Sequence, residues 1–312
     1  MTWRNQKERS NRVAIRLARH LTLLVPRQVA RWLLYPVTLY FVLTATQARR
    51  ASRQFLATVL PRPPGAMDVF RHFLAFATVV LDRAYLVRGR LDAFEIAIEG
   101  APAVEALRTS GRGGFLIGAH VGSFEVSRAL GRHLSEPPRV VMVMFEENAR
   151  MIAEAIATLN PGLQQEIIGL GATDSMIRVK HAVDAGALAG ILADRLPPHE
   201  GDCAEDRRVL SFHGRPAAFP IGPFRMAALL RRPAVLMLGL YLGGNRYRLV
   251  FEEIYDFRAR GIDRQAAMEE ALQRYVRRLE HYNRAYPYNW FNFYDVWESA
   301  EPAAIAGQVQ PA

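Results

Sequence analysis

Gly113-Gly114-Phe115-Leu116-Ile117-Gly118-Ala119-His120-Val121-Gly122-Ser123-Phe124-Glu125 is the stretch on which the fold turns. Its short run of large apolar residues, Phe115 to Gly118, reads as a buried strand, and the small residues after it lead into a helix over 122–133. The same alternation repeats along the chain. Apolar runs at 140–144, 187–192 and 234–240 read as further buried strands, and 246–251, where polar and apolar residues alternate, reads as a more exposed one. Helical patterns fill 147–158, 174–186, 220–231 and 264–284 between and after them. Strands that alternate with helices predict an α/β fold with a mostly parallel sheet flanked by helices.

Upstream, Pro61-Arg62-Pro63-Pro64-Gly65 is the clearest punctuation and closes an N-terminal helical region. Residues 67–87 follow as a helix whose broad apolar face carries Phe70, Phe73, Leu74, Phe76, Ala77, Val80, Leu81 and Tyr85. The sequence therefore divides into a basic, aromatic helical region at 1–60, an α/β domain at 61–298 and an Ala/Pro-rich tail at 299–312 that is expected to fray.

His120 falls at the carboxyl end of the 115–118 strand, the edge at which open α/β sheets place their ligands. Gly118, Ala119 and Gly122 are small enough to let a substrate approach the backbone. Glu125, five residues on, would lie in the first turns of the next helix and is expected to hold one ring nitrogen while the other takes a proton from a hydroxyl. A His-x4-acid match arises about once by chance in such a chain, so the setting and not the spacing carries this reading. The bland alternative is a structural histidine beside a solvated glutamate.

A second charged pair, Asp194-Arg195, directly follows the apolar run Ile191-Leu192-Ala193. Parallel strands would bring it to the same sheet edge, where Arg195 is suited to a phosphate or carboxylate. A local ion pair is the rival reading. Phe212-His213-Gly214-Arg215-Pro216-Ala217-Ala218-Phe219-Pro220 reads as a small-residue turn leading into a helix, with Gly214 at a possible acyl-groove wall, or as an ordinary helix entry. Ser123 lies beside the His/Glu pair without a base of its own, and no Gly-x-Ser-x-Gly elbow is present, so a covalent serine enzyme is disfavoured. No phosphate loop, complete dinucleotide fingerprint or metal-ligand motif is found, and no cofactor or metal is expected.

Composition bounds the class. With 312 residues, half hydrophobic and a tenth aromatic, the chain can bury a sizeable core. Its single cysteine, Cys203, excludes an internal disulfide framework. The formal charge of +10 is concentrated in residues 1–60, where eleven basic residues face only Glu8, leaving the remainder neutral. Within that segment, Trp32 to Ala48 is an uncharged run flanked by Arg31 and Arg49-Arg50. It is short for a span and is interrupted by Pro36, which suits a helix lying in or dipping into an anionic membrane surface. A buried core helix is the alternative. Nucleic acid is not an expected partner, because the neutral remainder offers no recognisable module for it.

Gly118-Ala119-His120-Val121-Gly122-Ser123-Phe124-Glu125 resembles the His-x4-Asp/Glu signature of glycerolipid-type acyltransferases. Its Glu form is similar to that of the lipid A biosynthesis late acyltransferases (lauroyl/myristoyl acyltransferases) of Gram-negative bacteria, within the lysophospholipid acyltransferase superfamily. The basic aromatic N-terminus, Gly190-Ile191-Leu192-Ala193-Asp194-Arg195, the Phe-x-Gly-x-Pro-Ala segment at 212–217, and Pro287-Tyr288-Asn289-Trp290-Phe291-Asn292-Phe293-Tyr294-Asp295-Val296-Trp297 extend the resemblance over nearly the whole chain. Arg195 after Asp194, and the 289–295 sequence, depart toward a less characterised branch, which leaves the acceptor open. The resemblance implies transfer of a fatty acyl group from an acyl carrier protein or coenzyme A thioester to a hydroxyl of a lipid or glycolipid. His120 would be the base and Glu125 its partner. Gly122, Ser123, Arg178, Asp194, Arg195 and Gly214 would contact substrate, with the amides of Gly122-Ser123 and the Arg195 guanidinium as oxyanion donors. The implied location is the cytoplasmic face of a bacterial inner membrane. A thioesterase that uses the same pair to activate water, and a non-catalytic membrane-surface protein, are the other readings.

Overall fold

In a computed structural model of the protein, residues 25–163, 165–171, 174–196, 206–259 and 261–298 are described. The basic residues of 1–24, the loop that carries His199 and Cys203, and the tail from 299 lie outside them.

A seven-stranded sheet organises the molecule. Its strands are β1 (Glu95–Glu99), β2 (Gly114–Gly118), β3 (Val140–Phe145), β4 (Glu166–Leu170), β5 (Leu188–Leu192), β8 (Pro233–Tyr241) and β9 (Arg246–Asp256). They lie in the order β1-β9-β8-β2-β5-β3-β4. All neighbouring pairs are parallel except β8 with β9. The sheet is thus the mostly parallel α/β sheet expected from the alternating pattern. Helices α4 (Ala101–Thr109), α5 (Phe124–Arg132), α6 (Glu146–Leu159), α7 (Ser175–Asp184), α8 (Gly222–Leu229) and α9 (Arg264–Ala285) flank it.

Both faces of the central strands are covered, which is why their sequences are continuously apolar. Phe115 and Ile117 pack on one side with Ile191, Leu236, Phe224 and Tyr275. Leu116 turns to the other side and meets Leu188, Val235, Met237 and Val126. β1 and β4 were not legible as strands, and both are edge strands at the two ends of the sheet. The stretch 212–220 also differs from expectation. The turn is confined to residues 213–214 of an antiparallel hairpin, β6 (Arg207–Phe212) with β7 (Arg215–Pro220), and it is the strand β7 that leads into the expected helix, Gly222–Leu229.

The N-terminal region from Arg27 does not stand apart from this body. Helices α1 (Arg27–Thr44) and α2 (Thr46–Val59) meet at a 95° bend, and α3 (Ala66–Val87) follows. α2 delivers Phe55, Leu56 and Val59 to the main core, and α3 contributes to the clusters on both sides of the sheet. α1 is latched by a buried ion pair: Arg27 Nε and Nη2 each donate to Asp82 at 2.6 Å, and the Tyr247 hydroxyl donates to the same carboxylate at 2.7 Å. Most of α1 stays uncovered, with Trp32, Leu33, Leu39, Tyr40, Phe41 and Leu43 exposed. Among the described residues no single helix is long and apolar enough to cross a membrane. The bent pair α1–α2 meets that test only when taken together.

Candidate active site

The site is set by the pairing of β2 with β5. Gly118 stands opposite Leu192, and the Ala193 amide donates to the Gly118 carbonyl at 3.0 Å. Two residues further along each chain, His120 and Asp194 therefore meet, although 74 positions separate them in sequence. The His120 amide donates to Asp194 Oδ2 at 2.9 Å, and His120 Nδ1 lies 2.8 Å from Asp194 Oδ1. A carboxylate can only accept, so Nδ1 carries the hydrogen and Nε2 keeps a free lone pair. Nε2 makes no hydrogen bond among the described residues, and the side chain is 29% exposed while Asp194 is fully buried. The imidazole is held from behind and open at its basic atom.

The C-terminal segment completes this arrangement. Its extended backbone turns Trp290 and Asn292 to one side, where Trp290 Nε1 donates at 3.1 Å and Asn292 Nδ2 at 2.9 Å to Asp194 Oδ2. Phe291 and Phe293 point the other way, against Phe76 of α3, and the Phe291 amide donates to the His120 carbonyl at 2.7 Å. Sequence reasoning gave Trp290 and Asn292 no role in the site. The available signal was an alternation of polar-tipped residues (290, 292, 294) with phenylalanines (291, 293), the period-two pattern of an extended segment between two environments.

Electrostatics fix the protonation states. Burial pushes the His120 pKa below the ordinary histidine value, and the Arg195 charge adds to that push against the opposing pull of Asp194. Burial alone would raise the Asp194 pKa, but the His120 ring, its hydrogen bonds and Arg195 outweigh it and hold the carboxyl well below the usual carboxylate range. The resting pair is neutral imidazole and carboxylate, as general-base chemistry requires.

Several expected site residues lie elsewhere or are occupied. Glu125 does not touch His120. It is 5% exposed in the first turn of α5, accepting from Arg128 Nη1 at 2.8 Å and Arg132 Nη1 at 3.2 Å. A residue so early in the helix has those arginines one and two turns further along the same face, and the neighbouring strand end reaches the ring first. The amides of Gly122 and Ser123 are not open oxyanion donors, because they bond the Asn289 carbonyl at 2.8 Å and the Gly239 carbonyl at 2.7 Å. Gly122 holds φ 63°, and a Cβ there would come within 1.9 Å of the Gly239 oxygen, so its smallness serves packing against β8 and not substrate approach. The Ser123 hydroxyl is buried at the start of α5 and has no hydrogen-bond partner among the described residues. Arg195 is engaged too, donating through Nε to Asn292 Oδ1 at 2.7 Å and through Nη2 to the Phe291 carbonyl at 3.2 Å. Arg178 is exposed on α7 and joins none of the site's hydrogen bonds. Gly214 is the exposed tip of the β6–β7 hairpin with φ 78°, a turn position that joins none of the hydrogen bonds of the His120 pair. No group of three or more possible metal ligands occurs among the described residues.

Fold and site together define an α/β protein with a hydrogen-bonded histidine–aspartate pair at the carboxyl edge of a mostly parallel sheet. No family model matches the chain, and no curated protein matches it either.

Proposed function

We propose that this protein is a membrane-associated O-acyltransferase that moves a fatty acyl group from a thioester, carried by acyl carrier protein or coenzyme A, to a hydroxyl of a lipid or glycolipid acceptor. The observation that carries the reading is the His120–Asp194 pair, with Nδ1 fixed at 2.8 Å and Nε2 unengaged on the exposed side. In this mechanism Nε2 removes the acceptor's hydroxyl proton as its oxygen attacks the thioester carbonyl. Asp194 steadies the imidazolium that forms, and the proton then passes to the departing thiolate. The positive N-terminus of α5, which begins four residues beyond His120, favours the oxyanion. Glu125 supports this framework by fixing Arg128 and Arg132, and is not itself the ring's partner.

The resemblance to the lipid A late acyltransferases, the basic N-terminus and the exposed apolar side of α1 support work at an anionic membrane, the cytoplasmic face of a bacterial inner membrane being the proposed place. The test is transfer of radiolabelled acyl groups from acyl carrier protein or coenzyme A into lipid extracts by purified protein in anionic vesicles. Transfer that disappears in His120→Ala, with folding and vesicle binding intact, is the expected result. Thioester cleavage at the same rate with and without lipid acceptor would instead make the protein a thioesterase, and no turnover of any thioester would make it a binding protein.

A further inference from the structure

Helix α9 backs the strand that carries His120. Its Tyr275, fully buried, donates to the Gly118 carbonyl at 2.9 Å, two residues before His120. Beyond the helix the chain runs on at once to Trp290 and Asn292, which hold Asp194. The C-terminal half of α9 therefore leads to the sheet edge at which His120 stands.

The outer face of that half is cationic. Arg274, Arg277, His281 and Arg284 are all exposed and follow one another at intervals of three, four and three residues. Those intervals align them in one stripe about 15 Å long. Neighbouring carboxylates do not cancel its charge. Glu252 is taken by Arg278, whose Nη2 donates to it at 2.7 Å, and Glu280 accepts from the His213 amide. Glu270 stands one turn before Arg274 without pairing to it, and Arg274, Arg277 and Arg284 make no ion pair among the described residues. Like charges at these spacings repel one another along a helix. Three unpaired guanidiniums in line, on a body whose charges otherwise balance, are matched to an anionic counterpart.

Shape selects the kind of anion. The stripe runs along the convex outside of a helix, whereas small ligands such as a free nucleotide are bound in clefts. A helix that lies on a membrane exposes large apolar side chains, as α1 does with Trp32, Leu33 and Phe41, but α9 exposes none. What fits a straight, three-turn row of guanidiniums without apolar anchors is a second helix bearing carboxylates at matching intervals.

We infer that the outer face of α9, through Arg274, Arg277 and Arg284, is the docking surface for an acidic helical protein. The acyl thioester would then arrive on a carrier protein and not as free coenzyme A. This rests on the proposed acyl transfer for its biological meaning, since it names the donor's form. Docking itself needs no turnover and is measured separately.

The probe is fluorescently labelled acyl carrier protein, titrated by anisotropy into the full-length protein. The expected result is saturable binding that weakens as salt is raised from low to physiological concentration. Each exposed pair removed costs roughly one and a half- to fivefold, so the triple variant Arg274→Gln, Arg277→Gln, Arg284→Gln binds about tenfold more weakly. A control triple at exposed arginines elsewhere, Arg112→Gln, Arg150→Gln, Arg264→Gln, binds as the wild type does, and so does His120→Ala. An α9 triple that stays within twofold of wild type would overturn the inference. So would an equal loss in the control triple, which would reduce the effect to net charge, or an absence of any binding of the carrier protein. An α9 triple that loses anionic vesicles but keeps the carrier protein would make the stripe a membrane contact and overturn it as well. If the carrier protein binds through α9 but no acyl group is ever transferred, the proposed activity fails and the docking surface stands. Transfer from coenzyme A with no carrier binding gives the reverse.

Discussion

Replacing Asp194 by asparagine separates the two carboxylates that the sequence offers to His120. In the wild type, Asp194 Oδ2 receives three donors, the His120 amide, Trp290 Nε1 and Asn292 Nδ2, at 2.9, 3.1 and 2.9 Å, whereas Oδ1 receives only His120 Nδ1. An asparagine has one acceptor oxygen and one NH2 group. Setting the NH2 against three donors would leave three buried hydrogen bonds unmade, at about 1–3 kcal/mol each, so the oxygen takes the three-donor place. The NH2 then faces Nδ1 and donates to it. That forces the ring hydrogen onto Nε2, the atom meant to act as base, and the imidazole is held in its place with the wrong tautomer.

The expected loss of acyl transfer is about a thousand- to ten-thousand-fold per folded molecule, the scale seen where a triad aspartate is exchanged in this way. Glu125→Gln is the control. It leaves Arg128 and Arg132 without their carboxylate and costs stability on the order of 3–5 kcal/mol, as for a broken buried pair, but keeps the His120 tautomer. Transfer per folded molecule therefore falls far less than in Asp194→Asn. The assay is acyl transfer normalised to folded protein by circular dichroism, with nitrogen-15 NMR of the His120 ring to read its tautomer. An Asp194→Asn variant that stays within tenfold of wild type, while Glu125→Gln falls as far as His120→Ala, would refute the assignment.

The acid limb of the rate profile should lie below pH 6.5, because burial and Arg195 depress the His120 pKa and the ring keeps its free base there; a limb above 6.5 in a rate–pH series would contradict this. His72, buried between the Ser52 hydroxyl and the Trp290 carbonyl, is pushed down to about 4 by burial. Between about 4 and 6.5 the unfolded chain binds the proton and the folded one does not, so stability falls as pH drops through that window, by up to about 3 kcal/mol from this group. Denaturant unfolding at several pH values should show that slope reduced in His72→Gln. Arg27→Met strands the buried Asp82 carboxylate and should cost about 3–5 kcal/mol by the same measurement, with an unchanged midpoint counting against the latch. Gly122→Ala meets both a positive φ and the Gly239 carbonyl, so folded yield should collapse; normal soluble expression would mean that the β2–α5 turn is built differently.

Periodicity exposed the parts of the fold whose burial is uniform. The central strands at 114–118, 140–145, 188–192 and 233–241 are covered on both faces, so their sequences carry one unbroken apolar signal. Glu95–Glu99 and Glu166–Leu170 carry a mixed signal because each has a neighbour on one side only. The hairpin arm Arg215–Pro220 begins and ends in turn-like chemistry and was hidden by its two prolines, which sit at its second and last positions. Of the site, His120 and Asp194 were legible as residues at strand ends. Their partnership was not, since it depends on β5 inserting next to β2 in the sheet order, and no local pattern encodes which strand becomes the neighbour.

The same order explains why the nearer carboxylate loses the ring. Residues just past the ends of adjacent parallel strands lie side by side, so Asp194 is bound to pass close to His120 once Leu192 is paired with Gly118. Glu125 sits instead on a helix that turns away from the strand end, and its side chain meets the positions three and seven residues on, where this sequence has Arg128 and Arg132. A five-residue spacing between histidine and acid is thus compatible with two different dyads. Which one forms is decided by the strand beside β2 and by the 289–294 segment, whose Trp290 and Asn292 supply two of the four donors that fix Asp194 in place.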